Sequence, residues 1–180
     1  MKKILMFLVL ALGLFQTSFA QCKKNVILNE IDEFTGYKKV IIGDEIALVH
    51  TLVGTKCKNC NMIGRIAICK IDENYSVRLH LFHGDVWSVS PGNTVEIKFM
   101  DGTVDNFVVE NSMVADKRSG DKSIVPWHGV VFFVIPKEFL SKLQEVELDK
   151  LRVEFNDQLG TARISRKKQV MEWANCIEKM

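Results

Sequence analysis

The feature that most constrains the fold is a pair of alternating segments, residues 61–70 and 75–82, joined by a short polar stretch. If Asp72 and Glu73 form the turn between them, the numbers of paired residues sum to 145. The pairs are then Ile66 with Leu79, Ile68 with Val77, Arg65 with His80, Ala67 with Arg78, and Cys69 with Ser76. This register gives one apolar face and one mostly polar face, as a half-buried antiparallel pair requires, and a slip of one residue would destroy it.

A second hairpin is predicted around Asp101-Gly102, between residues 94–100 and 103–110. Asp-Gly is a strong signal for a two-residue turn, because both central residues of that turn have positive φ. Paired numbers would then sum to 203, which places Val95 opposite Val108 and Lys98 opposite Asp105.

The remaining segments predict more strands and two helices. Residues 136–144 should form a helix with Pro136 at its first position, and residues 166–179 a second helix with an apolar stripe. Residues 130–135 are continuously apolar, which is typical of a strand covered on both faces. We therefore expect an α+β fold, a mostly antiparallel β-sheet of about six to nine strands, of sandwich or barrel type, with the two helices near the C-terminus.

The N-terminus has the pattern of a secretory signal peptide. Lys2 and Lys3 precede the apolar run 4–15, and small residues stand at Ser18 and Ala20. Twelve apolar residues span only about 18 Å as a helix, too short for a membrane anchor. We expect residues 1–20 to be removed and residues 21–180 to form a single α+β domain, periplasmic or secreted, with no transmembrane segment.

Two further properties of the N-terminal region bear on partners. A lipoprotein is the alternative to simple cleavage because Cys22 follows closely, but Gln21 is not the small residue that lipoprotein processing prefers. Lys2 and Lys3 account for the whole net charge of +2, so the mature chain is neutral. A neutral domain gives no electrostatic reason to expect a nucleic acid or an anionic membrane surface as partner.

The mature chain keeps five cysteines, an odd number, and an exported protein can form disulfides. The candidates are Cys22, Cys57, Cys60, Cys69 and Cys176. We expect a local Cys57–Cys60 bridge and a second bridge that joins either Cys22 or Cys69 to Cys176. A strand over residues 61–70 would hold Cys69 up to about 30 Å from Cys60, whereas a disulfide needs Cα atoms within about 7 Å, so Cys69 should not pair with Cys57 or Cys60.

Cys57 and Cys60 could instead carry chemistry. A redox pair of this spacing begins a helix, but the residues that follow Cys60 are strand-like. Together with His80 and His83, the two thiols would form a set of ligands of the kinds that zinc or copper prefers. The spacing matches no standard zinc finger, and His80 and His83 are three positions apart in a strand, which sends their side chains to opposite faces. The simpler interpretation is that Cys57 and Cys60 form a structural disulfide or are two unreactive thiols.

No hydrolase, zinc-protease or nucleotide-binding motif is present in the sequence. Trp87, Trp127 and Tyr37 could stack on a sugar, although single aromatic residues in strands more often fill cores. We therefore expect no enzyme and no cofactor, but an exported non-enzymatic domain that binds a protein, a glycan or another envelope component. The alternative is a thiol-redox or metal-binding protein that uses Cys57 and Cys60.

Several short motifs resemble a loose group of small exported proteins of the Bacteroidota to which no function is assigned. The resemblance covers most of the mature chain and implies an α+β or β-rich domain outside the cytoplasm, without any catalytic residue to carry over. The motifs are Ser18-Phe19-Ala20-Gln21, the Asp32–Gly36 turn, Gly92-Asn93-Thr94-Val95 continuing to Asp101-Gly102, and Leu148 with Leu151-Arg152-Val153.

Export predicts a defined intact mass. Protein purified from its own host should have the mass of residues 21–180, with loss of ammonia if Gln21 cyclises. Mass spectrometry of the undigested protein checks this. The mass of residues 1–180, or a lipid on Cys22, would contradict it.

Overall fold

The computed structural model describes residues 22, 25–43, 48–51, 61–117, 127–155, 158–164 and 167–180. Residues 1–21, and with them the proposed signal peptide, lie outside the described residues, as do Cys57 and Cys60. The strands are β1 (Val26–Ile31), β2 (Lys38–Gly43), β3 (Leu48–Thr51), β4 (Asn61–Ile71), β5 (Asn74–His83), β6 (Ser88–Val89), β7 (Thr94–Phe99), β8 (Val104–Val108), β9 (Met113–Val114), β10 (Asp116–Lys117), β11 (Trp127–Ile135), β12 (Leu148–Phe155) and β13 (Gln158–Arg163). The helices are α1 (Lys137–Glu145) and α2 (Lys167–Glu178). The predicted class, mostly antiparallel sheet with two helices late in the chain, is confirmed.

The strands form three antiparallel sheets rather than one. The largest has seven strands in the order β1-β2-β4-β5-β11-β10, with β3 also paired to β4, and it curls into a half-barrel. A four-stranded sheet has the order β13-β12-β7-β8, and β6 pairs with β9. Helix α2 contacts β2 and β4 of the large sheet and β12 of the four-stranded sheet, so it fills the space between the two sheets.

The predicted register of the β4–β5 hairpin is confirmed. Ile66 lies opposite Leu79 and Arg65 lies opposite His80, so the paired numbers sum to 145. Asp72 adopts a φ of 54° at the turn, a left-handed conformation that Asp tolerates better than most residues. The apolar side chains of the pair face the core, and the polar side chains face away from it.

The predicted register of the β7–β8 hairpin is wrong by one residue. Lys98 pairs with Val104 and Val95 with Phe107, so Lys98 does not face Asp105. The loop contains three residues, because Phe99 N–H donates to the Thr103 carbonyl at 2.9 Å and Gly102 alone takes a positive φ, 90°. The Asp101 carboxylate accepts hydrogen bonds from Thr103 N–H at 2.9 Å and from its hydroxyl at 2.7 Å, which stabilises this longer loop.

The shifted register changes which residues of β8 face inward. Phe107 stacks on Phe133 with ring centres 4.8 Å apart and meets Phe139 of α1 edge-on at 4.6 Å. Asp105 forms a 2.6 Å salt bridge with Lys142 of α1. Val108 pairs with Thr94 rather than with Val95, and its side chain is 58% exposed.

Two other local expectations need correction. Strand β11 is not covered on both faces: Val131, Phe133 and Ile135 are buried, but Phe132 is 46% exposed and Val134 is 59% exposed. Pro136 is the N-cap of α1, with ψ of 159°, rather than its first helical residue. The apolar run of β11 therefore includes residues that face solvent.

One buried cluster joins the inner faces of both larger sheets to the two helices. Its largest fully buried side chains include Trp173 of α2, Phe99 of β7, and Trp87. Within the described residues, neither helix combines the length and the apolar character of a membrane span.

A disulfide joins the N-terminal part of the chain to the last helix. Cys22 and Cys176 are bonded, with their Cα atoms 5.5 Å apart, which is one of the two pairings left open by the sequence. Cys69 is buried and lies outside any disulfide. It faces the side of the sheet opposite to α2, so it cannot reach Cys176.

The β7–β8 register can be tested with neighbouring residues of β8. Phe107→Ala should lower the free energy of unfolding by about 2–4 kcal/mol because its ring contacts with Phe133 and Phe139 are lost. Val108→Ala, the matched control, should change it by less than about 0.5 kcal/mol. Urea denaturation measures both. A larger loss of stability for Val108→Ala than for Phe107→Ala would contradict the observed register and favour the one predicted from the sequence, with Val108 opposite Val95.

Removal of the disulfide should destabilise the protein. The bond closes a loop of 154 residues, so Cys22→Ser/Cys176→Ser should lower the free energy of unfolding by about 2–5 kcal/mol. Urea denaturation without reductant measures the loss, and non-reducing peptide mapping should recover the linked pair from the wild type. Equal stability of the two proteins, or Cys176 linked to Cys69, would contradict the structure.

Candidate functional site

The large sheet has a core side and an open side. Alternation sends Ile66, Ile68, Val77 and Leu79 into the core, and the intervening residues to the opposite surface, which we call the open face. The open face carries Leu28, Ile41, Arg65, Ala67, Cys69, Arg78, His80, Phe82, His128, Phe132 and Val134. Side chains on the open face can be replaced without removing a contact in the main core.

A groove of about 360 Å³ lies on the open face, across β1, β2, β4 and β5. Its lining residues are Asn25, Val26, Ile27, Ile41, Gly43, Arg65, Ile66, Ala67, Arg78 and His80. Ile41 and Ala67 form its apolar floor, and together with Cys69 they make a second buried cluster, separate from the main core. The volume is within the range of small-molecule sites.

Close approach of β2 to β4 shapes the groove. Gly43 pairs with Ala67, and a Cβ on Gly43 would lie 2.7 Å from Ala67 Cβ and 2.9 Å from Ala67 Cα. Gly43 N–H also donates to the Asn25 carbonyl at 3.0 Å, which brings the start of β1 to the rim. At Ile27 the β1–β2 register shifts, a bulge that redirects the end of the strand toward the groove.

The β4–β5 side of the groove is basic. Arg65 lies opposite His80, and the next pair on this face places Arg78 opposite Ala67. Arg78 is exposed and forms no ion pair with any residue of the described ranges. The described lining residues include two arginines and a histidine and no acidic side chain, so the described part of this wall is basic in composition.

Aromatic rings fix the position of His80 beside the groove. His80 Nε2 lies 3.2 Å from His128 Nδ1, and the His80 ring lies 4.4 Å from the Phe82 ring. The Arg65 guanidinium carbon lies 5.5 Å from the centre of the Phe82 ring, within the range of a cation–π contact. A single hydrogen between the two imidazole nitrogens makes one of them donor and the other acceptor.

The two histidines of the predicted metal site lie on opposite faces of the large sheet. His80 lies on the open face, but His83 is buried on the core side, where its Nδ1 accepts a hydrogen bond from Asp85 N–H at 3.0 Å. The ring of His83 contacts Phe155 of the four-stranded sheet, at 5.8 Å. Among the described residues there is no group of three or more His, Cys, Asp or Glu side chains that could hold a metal ion, and the prediction for Cys57 and Cys60 falls outside those residues.

The other residues considered from sequence are also separate from the groove. Trp87 is buried, Trp127 is half-buried and Tyr37 is exposed near the β1–β2 loop, so the three aromatic rings do not form one sugar-stacking surface. Burial raises the pKa of the Cys69 thiol, an effect partly opposed by Arg78 and by a hydrogen bond with Ser76. Cys69 is therefore a protonated, unreactive thiol near neutral pH.

The alternation of β4 and β5 predicts that Arg65, Arg78 and His80 share one face of the sheet, but no motif in the sequence marks them as a site. The β4–β5 alternation was the available signal. The groove itself could not be predicted because it depends on the close contact of Gly43 in β2 with Ala67 in β4, two residues 24 positions apart in the sequence. This contact turns a flat polar face into a groove.

The role of Gly43 gives a direct test. Gly43→Ala should lower the free energy of unfolding by about 1–3 kcal/mol, because the new methyl group would overlap the backbone of β4. Ala67→Gly in the same chain should restore part of this loss, since it removes the closest contact. Thermal or urea denaturation of the single and double variants measures the effect. A fully stable Gly43→Ala protein would contradict the close approach.

Comparison with known protein families, with curated proteins and with solved structures found no match for this chain. The groove and its basic wall are the features of the structure on which a functional proposal can be built.

Proposed function

We propose that the protein is an exported, non-enzymatic binding domain and that the groove on the open face is its binding site. The observation that carries the proposal is the combination of a basic wall, formed by Arg65, Arg78 and His80, with an apolar floor, formed by Ile41 and Ala67. A few polar groups around an apolar concavity are typical of ligand-binding sites. Export, which the N-terminal sequence predicts, would place this site in the cell envelope or the medium.

The chemistry of the lining favours binding over catalysis. Within the described part of the chain, the residues around the groove include no carboxylate, hydroxyl or thiol side chain, so these residues supply neither a nucleophile nor an acid–base pair of carboxylates. Among the described lining residues His80 carries the imidazole, and its Nε2 lies 3.2 Å from Nδ1 of another histidine, His128. Such a set can hold a ligand but lacks the groups that covalent or general acid–base chemistry combines.

The partner class stays as the sequence predicted it: a protein, a glycan or another component of the envelope. The groove adds a preference for a component that carries negative charge. The thiol or metal function of Cys57 and Cys60 remains the alternative prediction, and no described contact favours it.

The test is retention of a component from the host's own envelope. Wild-type protein is incubated with envelope extract, washed and examined by native mass spectrometry and by identification of the released molecules. Wild type should retain a component that Arg78→Glu loses by at least about tenfold, because the substitution reverses charge at the groove.

The matched control is Arg163→Glu, since Arg163 is an exposed strand arginine on the four-stranded sheet. It should retain the component as the wild type does. The proposal would be contradicted if nothing is retained or if both variants behave like the wild type. Release of chemically altered extract components by the wild type, in catalytic amounts, would favour an enzyme.

A further inference from the structure

The four-stranded sheet carries a row of three basic side chains on the face that points away from the core. Lys98 of β7 lies directly opposite Lys150 of β12, and Lys150 lies directly opposite Arg163 of β13. The residues immediately before and after Lys98 and Arg163 in the chain are buried, so these two side chains point outward. With neighbouring strands about 4.8 Å apart, this basic row is about 10 Å long.

One carboxylate beside the basic row is held mainly by helix α2. Asp149 stands next to Lys150 in the chain and forms a 3.0 Å salt bridge with Lys167 of α2. The hydrogen bond from Lys167 lowers the pKa of the Asp149 carboxyl, and the charges of Lys150 and Lys98 lower it further. A single carboxylate thus serves three lysines, and its direct partner is the one outside the basic row.

The other carboxylates of this face have partners in the neighbouring rows of the sheet. Glu96 forms a 2.9 Å salt bridge with Arg152. Glu154 accepts hydrogen bonds from the backbone N–H of Thr94 at 3.0 Å and from its hydroxyl at 3.2 Å. Among the described residues, no salt bridge joins a member of the basic row to a carboxylate, so the row keeps positive charge that is not neutralised locally.

The shape of the basic row suits a chain of negative charges. Like charges directly opposite each other in a sheet repel, so an anion over the row gains attraction and also relieves repulsion. A small anion can reach only part of a straight row, whereas a linear polymer with repeated charges can engage all three cations together. The Arg163 guanidinium can bind a carboxylate through two parallel hydrogen bonds, and the two lysines act as point charges.

The side chains around the basic row favour a polysaccharide over a single-stranded nucleic acid. Proteins bind single strands by stacking bases on aromatic side chains, and the outward-facing residues of β7, β8, β12 and β13 that the structure describes include no aromatic ring. Asn106 and Thr161 stand at the two ends of the adjacent Glu96–Arg152 row. Their amide and hydroxyl groups can exchange hydrogen bonds with sugar hydroxyls.

We propose that the basic row binds a linear acidic polysaccharide that crosses the strands, with its carboxylates over Lys98, Lys150 and Arg163. The row lies on the other sheet from the groove, so this site is additional to the proposed groove and does not depend on it. Export, which the N-terminal sequence predicts, would bring the protein to such polymers in the envelope or the medium. A single-stranded nucleic acid is the alternative outcome of the test.

Titration calorimetry with defined sugars tests the inference. Polygalacturonate carries a carboxylate on every sugar unit, galacturonate is its monomer, and dextran is a neutral polysaccharide. Polygalacturonate should bind at least about tenfold more tightly than galacturonate, because several charges engage at once, and dextran should not bind. High salt should weaken the binding of polygalacturonate, because the basic row is open to solvent.

The middle position of the row locates the ligand. Lys150→Gln should weaken polygalacturonate about tenfold, because the lost ammonium is a charged hydrogen-bond donor. Lys117→Gln, the matched control, removes an exposed lysine of the large sheet and should stay within about twofold of the wild type. Thermal melting separates binding from structure: Lys150→Gln should melt no lower than the wild type, because the substitution removes two like-charge contacts within the row.

Arg163→Glu distinguishes the basic row from the groove. It should bind polygalacturonate at least about tenfold more weakly, yet retain the envelope component that Arg78→Glu loses. The inference would be overturned by absent binding of polygalacturonate, by equal binding of dextran, or by equal losses in Lys150→Gln and Lys117→Gln. Tighter binding of polythymidylate than of polygalacturonate would overturn it in favour of a nucleic acid. None of these results bears on retention at the groove.

Discussion

The antiparallel pairing of β4 with β5 decides which side chains of the large sheet enter the core and which remain on the open face. In the observed register, Ile66 and Leu79 pack inward, while Arg65 and His80 face outward as the neighbouring pair. A shift of either strand by one residue would bury arginines and expose isoleucines, at a cost of several kcal/mol for each buried charge without a partner. The position of the groove is thus a consequence of the same hydrogen-bond ladder that builds the core.

The sequence predicts a register well where alternation is present on both strands of a pair, and poorly where it is not. In β4–β5, only one register separates apolar from polar residues. In and just after β8, Val104 and Val108 lie on one face of the chain and Phe107 and Val109 on the other, so both faces carry apolar residues and the pattern does not select a register. Asp101-Gly102 is compatible with a two-residue or a three-residue loop, and the hydrogen bonds from Thr103 to Asp101 select the longer one.

Features that depend on contacts between distant elements could not be predicted from local patterns. Alternation placed Arg65, Arg78 and His80 together, but the groove also requires Gly43 to meet Ala67, a contact set by strand order in the sheet. The sequence likewise leaves both Cys22 and Cys69 open as disulfide partners of Cys176. Docking of α2 on the inner face of the sheet decides it in favour of Cys22, because Cys69 lies on the open face.

One face of the large sheet packs into the core, and we propose that the other binds a ligand; adjacent residues of β5 test this division most directly. Leu79 is fully buried, so Leu79→Ala should lower the free energy of unfolding by about 2–5 kcal/mol. Arg78→Ala, one position earlier on the open face, should change it by less than about 0.5 kcal/mol. The measurement is urea denaturation of the two variants side by side with the wild type. A loss of stability for Arg78→Ala comparable with that for Leu79→Ala would show that the basic wall is structural and would contradict the assignment of the groove as a binding site.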